Sequence, residues 1–433
     1  MIYIEFFDKN AVENICGCLT CVPDKVILIG NNEKKLKEHC ERYHSFFLGR
    51  GKEIDFTYSG IRYKESKKEE IELDMLSNVA DQLSAIVGEV IDKDICVIDL
   101  TGGQDLMLVA AGIVYDRYKD KNLQMHRFNL RNNKLYNCDS NGKIISVESP
   151  PVLSAGELVK LYGGAIVYEN DKHGTTYPWE WSEDFINDVD MMWSVCRKNV
   201  RAWNTQIGVF AAAEEVNDSP DPLVTMADMT KLKTQLELQD ANYVHINSII
   251  RNLQKYGMIT LVSNEESISI TYKNEQVKRC LTKAGQALEM KITLSAMRAR
   301  DKDGNPVYND IVNGAYIDWD DRLHTDQECC DTANEIDVLL MRGTIPVFVS
   351  CKNGRVEMDE LYKLDTVAER FGGSYAKKVV VATALNKNNS FTKYFEQRAH
   401  DMDITLVDDI LEATDKALER AVGSFWSGGG NPK

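Results

Sequence analysis

"VIDLTGGQDLMLVAAG", residues 97 to 112, is the stretch on which the fold turns. An apolar strand, Cys96 to Leu100, runs directly into Thr101-Gly102-Gly103 and then into a helix from about Gln104. Strand, glycine turn and helix in immediate succession form the joint of an α/β unit whose strands are buried on both faces. Glycines let backbone N–H groups approach an anion, and the following helix N-terminus adds partial positive charge, so the turn suits a phosphate. It has neither the Gly-Lys-Ser/Thr of a P-loop nor the spacing of a G-x-G-x-x-G dinucleotide turn. A tight turn that only packs strand against helix is the other reading of the same glycines.

The pattern repeats on both sides. "IYIEFF" (2–7), "KVILIG" (25–30), "EIDFTYS" (53–59), "DICVIDL" (94–100) and "LQMHRFNL" (123–130) read as short strands with helical segments between them. This predicts a mostly parallel, doubly wound sheet that holds its ligand at the carboxyl ends of the strands. "ESPPVLSAGELVKLYGG" (148–164) closes the unit, giving a first domain over 1–165. The tryptophans of "YPWEWSEDFINDVDMMW" (177–193), Trp179, Trp181 and Trp193, read as an inter-domain packing helix. From about 228 to 285 the order is helix, helix, hairpin, the pattern of a winged helix-turn-helix, so 166–285 is expected to be linker helices and this module. Its second helix, with His245, Asn247, Ser248 and Arg251, would read the major groove if the module bound DNA; a scaffold or dimerisation role fits its thin basic content equally well. Residues 286–433 return to α/β, with two antiparallel strands, "EIDVLLMR" and "PVFVSCK", among helices in a mixed sheet.

Lys352 at the end of "PVFVSCK" is costly to place beside an apolar strand without a task. Strand alternation puts Glu335 and Asp337 on one face, and Ser350 and Lys352 on one face of the next strand. A hairpin through "RGTIP" would bring the two polar faces together. Two carboxylates and an ammonium beside a sheet suit Mg²⁺ or Mn²⁺ and a phosphate: the metal lowers the pKa of bound water and the cation offsets charge on phosphorus. An exposed ion pair across the hairpin is the plainer alternative.

Composition narrows the classes. The 433 residues predict more than one core, and the net charge of −16, from 67 acidic against 51 basic residues, argues against a constitutive polyanion binder. Eleven scattered cysteines, including the adjacent Cys329 and Cys330, suit a reducing compartment, and Cys16, Cys18 and Cys21 of "CGCLTC" read as buried thiols. No signal peptide or membrane-length apolar run is visible, so a soluble, cytoplasmic protein without a membrane partner is expected. No internal repeat is evident, and the tail "SGGGNPK" reads as a disordered end.

Two resemblances follow from these residues. The Thr-Gly-Gly turn, the opening "FFDKNAVENI" and the doubly wound order over about 1–165 resemble the Rossmann-like CARF sensor domain of CRISPR-associated proteins. That resemblance implies a homodimer with a cyclic oligoadenylate across its two-fold axis, lined here by Asp8, Asn10, Thr101, Gly102, Gly103 and Gln104. Family members often continue Thr-Gly-Gly-Thr-Lys, whereas this chain has Gln104-Asp105, and Asp105 suits a helix's first turn while repelling phosphate.

The C-terminal third resembles the PD-(D/E)xK (restriction endonuclease-like) nuclease superfamily. The resemblance implies Glu289 and Asp337 as catalytic metal ligands, Cys351 as donor of a backbone carbonyl and Lys352 as the catalytic lysine. Ser350 stands where the pattern asks for a carboxylate, and Glu335 or Glu360 could substitute, Glu335 as a further metal ligand and Glu360 as a further catalytic acid. The three-part order is similar to the type III CRISPR ancillary nucleases activated by cyclic tetra-adenylate, implying a metal-dependent endonuclease on DNA or RNA in antiviral defence. The alternative is a CARF-controlled winged-helix DNA-binding regulator whose nuclease-like domain is inactive.

Overall fold

In the computed structural model the described residues are 1–61, 73–132, 134–138, 143–145, 151–168, 174–236, 243–321, 333–385 and 390–429. Cys329, Cys330 and residues 430–433 of the tail lie outside them. The chain is a mixed α/β protein with three sheets among the described residues.

The first sheet holds β1 (Ile2–Phe6), β2 (Lys25–Gly30), β3 (Asp55–Gly60), β4 (Cys96–Asp99), β5 (Leu123–Asn129), β6 (Lys134–Asn137) and β7 (Ile144–Ile145) in the order β3-β2-β1-β4-β5-β6-β7. The first five are parallel, and β6 and β7 add an antiparallel extension. The central parallel strands β1, β2 and β4 are buried on both faces and need no hydropathic alternation, which is why their sequences read as nearly continuous apolar runs, whereas the edge strand β3 is not buried. One face packs on the helices Leu73–Val90 and Asp105–Tyr118. The other faces Cys16–Cys21, Glu33–Gly49 and Ala155–Leu161.

After β8 (Ala165–Ile166), two long helices, Glu183–Cys196 and Val200–Glu215, lead to a small antiparallel sheet. It consists of β9 (Val224–Asp228), β10 (Ile259–Ser263) and β11 (Ser267–Tyr272), ordered β10-β11-β9. The hairpin β10–β11 is the expected one, while β9 is an additional strand whose burial alternates over only five residues. The helix read as a groove reader spans Ser248–Lys255, and Asn247 is its cap: the side-chain oxygen accepts the Ile249 and Ile250 N–H groups and the amide donates to Gln206. Asn247 is thus committed to the helix end, and His245 precedes it.

The third sheet adds β12 (Asp310–Asp318), β13 (Ala333–Arg342), β14 (Ile345–Lys352), β15 (Lys377–Ala382) and β16 (Ile404–Val407), ordered β16-β15-β14-β13-β12-β8. Two β8 residues pair with the end of β12, so the segment leaving the first sheet is stitched into the last one. One face of this third sheet shares a core with the middle helices and Gln286–Arg298, where Trp193 and Trp203 are buried. The other shares a core with the first sheet's Tyr3, Val26 and Val97 and with the helix Met358–Gly372. The third sheet is therefore packed between two bodies, and side chains at its polar end can receive groups from both.

Candidate functional site

Regular pairing of β13 with β14 runs from Arg342 opposite Ile345 to Val338 opposite Val349. Beyond Val338 the Asp337 carboxylate takes the place of the ladder, accepting the Cys351 N–H at 2.6 Å and lying 3.4 Å from the Ser350 hydroxyl. On its other side β13 pairs with β12 by Val338 opposite Asn313 and Ile336 opposite Ala315, so Asp337 faces Gly314, which has a φ of +61°. A positive φ inside a strand turns the backbone over and is easy only for glycine. Val338 and Leu340 belong to the core under the Gln286–Arg298 helix, whereas Ile336 belongs to the core under Met358–Gly372. The simple alternation that would put Glu335 and Asp337 on one face is therefore interrupted: β13 changes face at Asp337, and that carboxylate sits in the gap between separating strands.

An open cavity of about 510 Å³ is lined by Glu289, Asp337, Glu335, Cys351, Lys352 and Lys283, with Asn204, Asn353 and Arg355 at its margin. Glu289 comes from the first turn of the Gln286–Arg298 helix and is 4 % exposed. The Gln286 amide donates to it at 3.1 Å and to Asn313 at 3.1 Å, so helix and β12 fix its rotamer together. Glu335 forms an ion pair with Lys283 rather than joining the two buried carboxylates. Glu360 lies on the far side, where it holds the Lys352 ammonium at 2.7 Å and lines a smaller cavity of about 90 Å³ with Ser350 and Lys363.

The electrostatics follow from this crowding. Burial and then the Asp337 charge push Glu289 up to about 8, against the pull of Lys283. Burial also raises Asp337, against the Cys351 N–H bond that favours its ionised form. Burial disfavours the Lys352 ammonium, but the Glu360 bond and the Asp337 charge outweigh it and hold the lysine above its usual range. Lys283 behaves likewise under Glu289 and Glu335.

Among the described residues no group of three or more His, Cys, Asp or Glu side chains stands close enough to hold an ion. The donors at hand are nevertheless of the right kind for a hard cation. Two buried, mutually repelling carboxylates gain from a positive charge between them, and Mg²⁺ needs only one or two carboxylates because it keeps several waters.

Lys283, Asn204 and Asn353 were not singled out from the sequence. Lys283 stands two residues before Gly285, whose φ of +85° starts the helix that carries Glu289. Asn204 reaches from the Val200–Glu215 helix to the Asn353 carbonyl, and Asn353 donates to Asn204 at 3.0 Å and to the Cys196 sulfur at 3.3 Å. The one available signal was Asn353 following Lys352 directly.

At the glycine turn of the first sheet, Asp8 accepts the Gly103 N–H at 3.2 Å and the Asn10 N–H at 2.8 Å. The Thr101 hydroxyl accepts the Phe128 N–H at 2.8 Å, and Gln104 is the cap position of the Asp105–Tyr118 helix. Asp8, Gly102 and Gly103 are thus brought together at the strand ends, where a Cβ added at Gly102 would meet the Asp8 Cβ at 3.0 Å. Asn10 points elsewhere: it is 8 % exposed and exchanges hydrogen bonds with Ser374, donating at 3.2 Å and accepting at 3.3 Å.

No protein-family model and no curated protein matches this chain. Among solved structures, protein VC1899 from Vibrio cholerae superposes with a TM-score of 0.70 at 14 % identity, over 99 % of this chain and 99 % of that one. Can2 from Sulfobacillus thermosulfidooxidans, solved in complex with cyclic tetra-adenylate, superposes with a TM-score of 0.65 at 13 % identity, over 98 % of this chain and 99 % of that one. The fold is shared from end to end. Among the described residues no helix is long and apolar enough to cross a membrane.

Proposed function

We propose that the chain is a cyclic oligoadenylate-activated, metal-dependent endonuclease of type III CRISPR defence that works as a homodimer. In this reading 1–165 is the CARF sensor, 166–285 the linker helices and winged-helix-like module, and 286–433 the PD-(D/E)xK nuclease. The observation that carries it is that Glu289, Asp337, Cys351 and Lys352, from a helix and two strands, line one cavity at the point where β13 and β14 part. The whole-chain likeness to a protein solved with cyclic tetra-adenylate adds the sensor half of the reading.

Glu289, Asp337 and the Cys351 carbonyl would hold Mg²⁺ or Mn²⁺. When bound, the metal supplies a Lewis acid and a more acidic water. The chain's own part is positional. Asp337 is fixed by the Cys351 N–H, and Glu360 holds Lys352 at the cavity edge, where its ammonium can offset charge on a phosphate oxygen. Asp8, Thr101, Gly102, Gly103 and Gln104 form the strand-end turn that would meet the cyclic ligand at the two-fold axis.

The test incubates the full chain with plasmid, single-stranded DNA and RNA, with Mg²⁺ or Mn²⁺, with and without cyclic tetra-adenylate. Cleavage that needs both metal and ligand, and that Lys352→Ala abolishes, is expected. Equal cleavage by Lys352→Ala, or none under any combination, overturns the reading. Ser350 favours a second one, a ligand-controlled DNA-binding regulator with an inert third sheet, since a hydroxyl 3.4 Å from Asp337 is a poor substitute for a metal-binding carboxylate. Ligand-dependent binding of duplex DNA without cleavage would support that second reading.

A further inference from the structure

We propose that the seam between the β5–β6 turn and the β13–β14 turn is a binding site for a phosphate-type oxyanion. The cavity there, about 130 Å³, takes Arg131 and Asn132 from the first sheet and Arg342, Gly343 and Thr344 from the third, and Trp426 closes it. Among the described residues its lining contains no acidic side chain, in a chain whose net charge is −16.

Three features set this cavity apart from an ordinary pair of solvated arginines. The Arg342 guanidinium carbon lies 3.3 Å from the centre of the Trp426 ring, so its plane is fixed and its edge N–H donors are preorganised. No hydrogen bond or ion pair is formed by the side chain of Arg342 or Arg131 among the described residues. Asp301 is near enough to act on Arg342 through its charge, but its own carboxylate accepts the backbone N–H groups of Asp303 and Asn305. Finally, the Thr344 hydroxyl is buried, with the residue 2 % exposed, and has no hydrogen-bond partner beyond the neighbouring Cys16 thiol, a weak one.

A guanidinium stacked on an indole and free of ion pairs among the described residues, a second arginine lining the same cavity and a buried hydroxyl whose one weak partner is a thiol are complementary to tetrahedral oxygen atoms. Burial lowers the Arg342 pKa, the cost that a bound anion would offset. The cavity has room for a phosphoryl group with its first waters. An anion seated there would tie the first sheet to the hairpin whose other end carries Asp337 and Lys352. The site is independent of the nuclease reading.

The test is calorimetric titration of the full chain with inorganic phosphate and, separately, with 5′-AMP at constant ionic strength, beside a chloride control. Saturable binding of phosphate is expected, weakened roughly tenfold or more by Arg342→Gln and by Thr344→Val. Arg131→Gln, a change at an exposed turn that leaves the fold intact, should weaken it as well. Equal affinity for 5′-AMP identifies a nucleotide's phosphoryl group as an acceptable source, and preference for phosphate identifies the free ion. Absence of saturable binding, or unchanged binding in the Arg131→Gln/Arg342→Gln double variant, overturns the proposal.

Discussion

The Asp337 carboxylate accepts the Cys351 N–H at 2.6 Å, so an acidic side chain closes the hairpin where its backbone ladder ends. A substitution there acts on stability and on charge separately. Asp337→Asn keeps an acceptor oxygen and removes a buried charge, whereas Asp337→Ala leaves the Cys351 N–H without a partner. The alanine variant should be less stable than the asparagine variant by about 1–3 kcal/mol, the cost of an unsatisfied buried donor. Urea unfolding of the two variants measures this, and under the proposed function neither variant should cleave nucleic acid.

The same charge raises its neighbour. Asp337 is the second cause, after burial, of the Glu289 pKa near 8. Removing it by Asp337→Asn should bring Glu289 down toward the ordinary carboxylate range without moving its backbone. Carbon-13 titration of labelled glutamate side chains reads the shift directly, and an unchanged Glu289 would show that the two groups do not interact.

Much of this arrangement is legible in the sequence because it is local. The apolar runs gave the strands, the "TGG" turn gave the strand-to-helix joint, and "EIDVLLMRGTIPVFVSCK" gave the hairpin that carries Asp337 and Lys352. What local patterning could not give is set by pairing between distant segments. The change of face at Asp337 depends on Gly314 in a neighbouring strand, and nothing around Asp337 itself marks it. Lys283 and Asn204 reach the cavity only because the middle helices pack on the third sheet. Asn10 is drawn toward Ser374 by a contact across almost the whole chain, and Asn247, read as a groove contact, is spent on a helix cap.

Gly103 has a φ of +111°, and a Cβ there would lie 2.5 Å from the Phe6 Cβ. Gly102 is less constrained, with 3.0 Å to the Asp8 Cβ. Gly103→Ala should therefore cost at least about 2 kcal/mol, combining backbone strain with overpacking. Gly102→Ala should cost less, and thermal unfolding of the two variants gives the order. Equal losses would mean that the turn relaxes as a unit.

Lys291 is 2 % exposed and paired to Asp190 at 2.8 Å and Asp415 at 2.7 Å, while both acids reach solvent. The asymmetry predicts asymmetric costs. Lys291→Met removes the buried charge and leaves acids that water can solvate, Asp190 also keeping Arg298 at 3.0 Å, so the change should stay within about 1 kcal/mol. The double change Asp190→Asn/Asp415→Asn strands the buried ammonium and should cost roughly 3 kcal/mol or more. Chemical denaturation distinguishes the two, and the reverse order would mean that the acids, not the lysine, carry the burial cost.

The last prediction concerns pH and the floor of the Thr-Gly-Gly turn. Glu5 and Asp99 are register neighbours on β1 and β4, and both are almost fully buried. Asp99 accepts the Thr101 N–H at 2.7 Å, but burial dominates and raises it to about 6, and Glu5 is pushed well above its ordinary value, first by burial and then by Asp99. The two titrate as a pair, with Glu5 keeping the proton. A carboxyl whose folded pKa is raised binds more protons in the folded than in the unfolded chain between those two values. Stability from this pair is therefore greatest below about pH 4 and is lost as pH rises toward 6, by about 1.4 kcal/mol per unit for each proton retained. Asp99→Asn removes the ionising partner while keeping an acceptor for Thr101, so its unfolding free energy should fall less steeply over that window. Urea unfolding of wild type and variant at pH 4.5, 5.5 and 6.5 compares the slopes, with all other carboxyls common to both chains. Parallel slopes would mean that Asp99 is already ionised at the acid end of the window and that its burial is compensated within the fold.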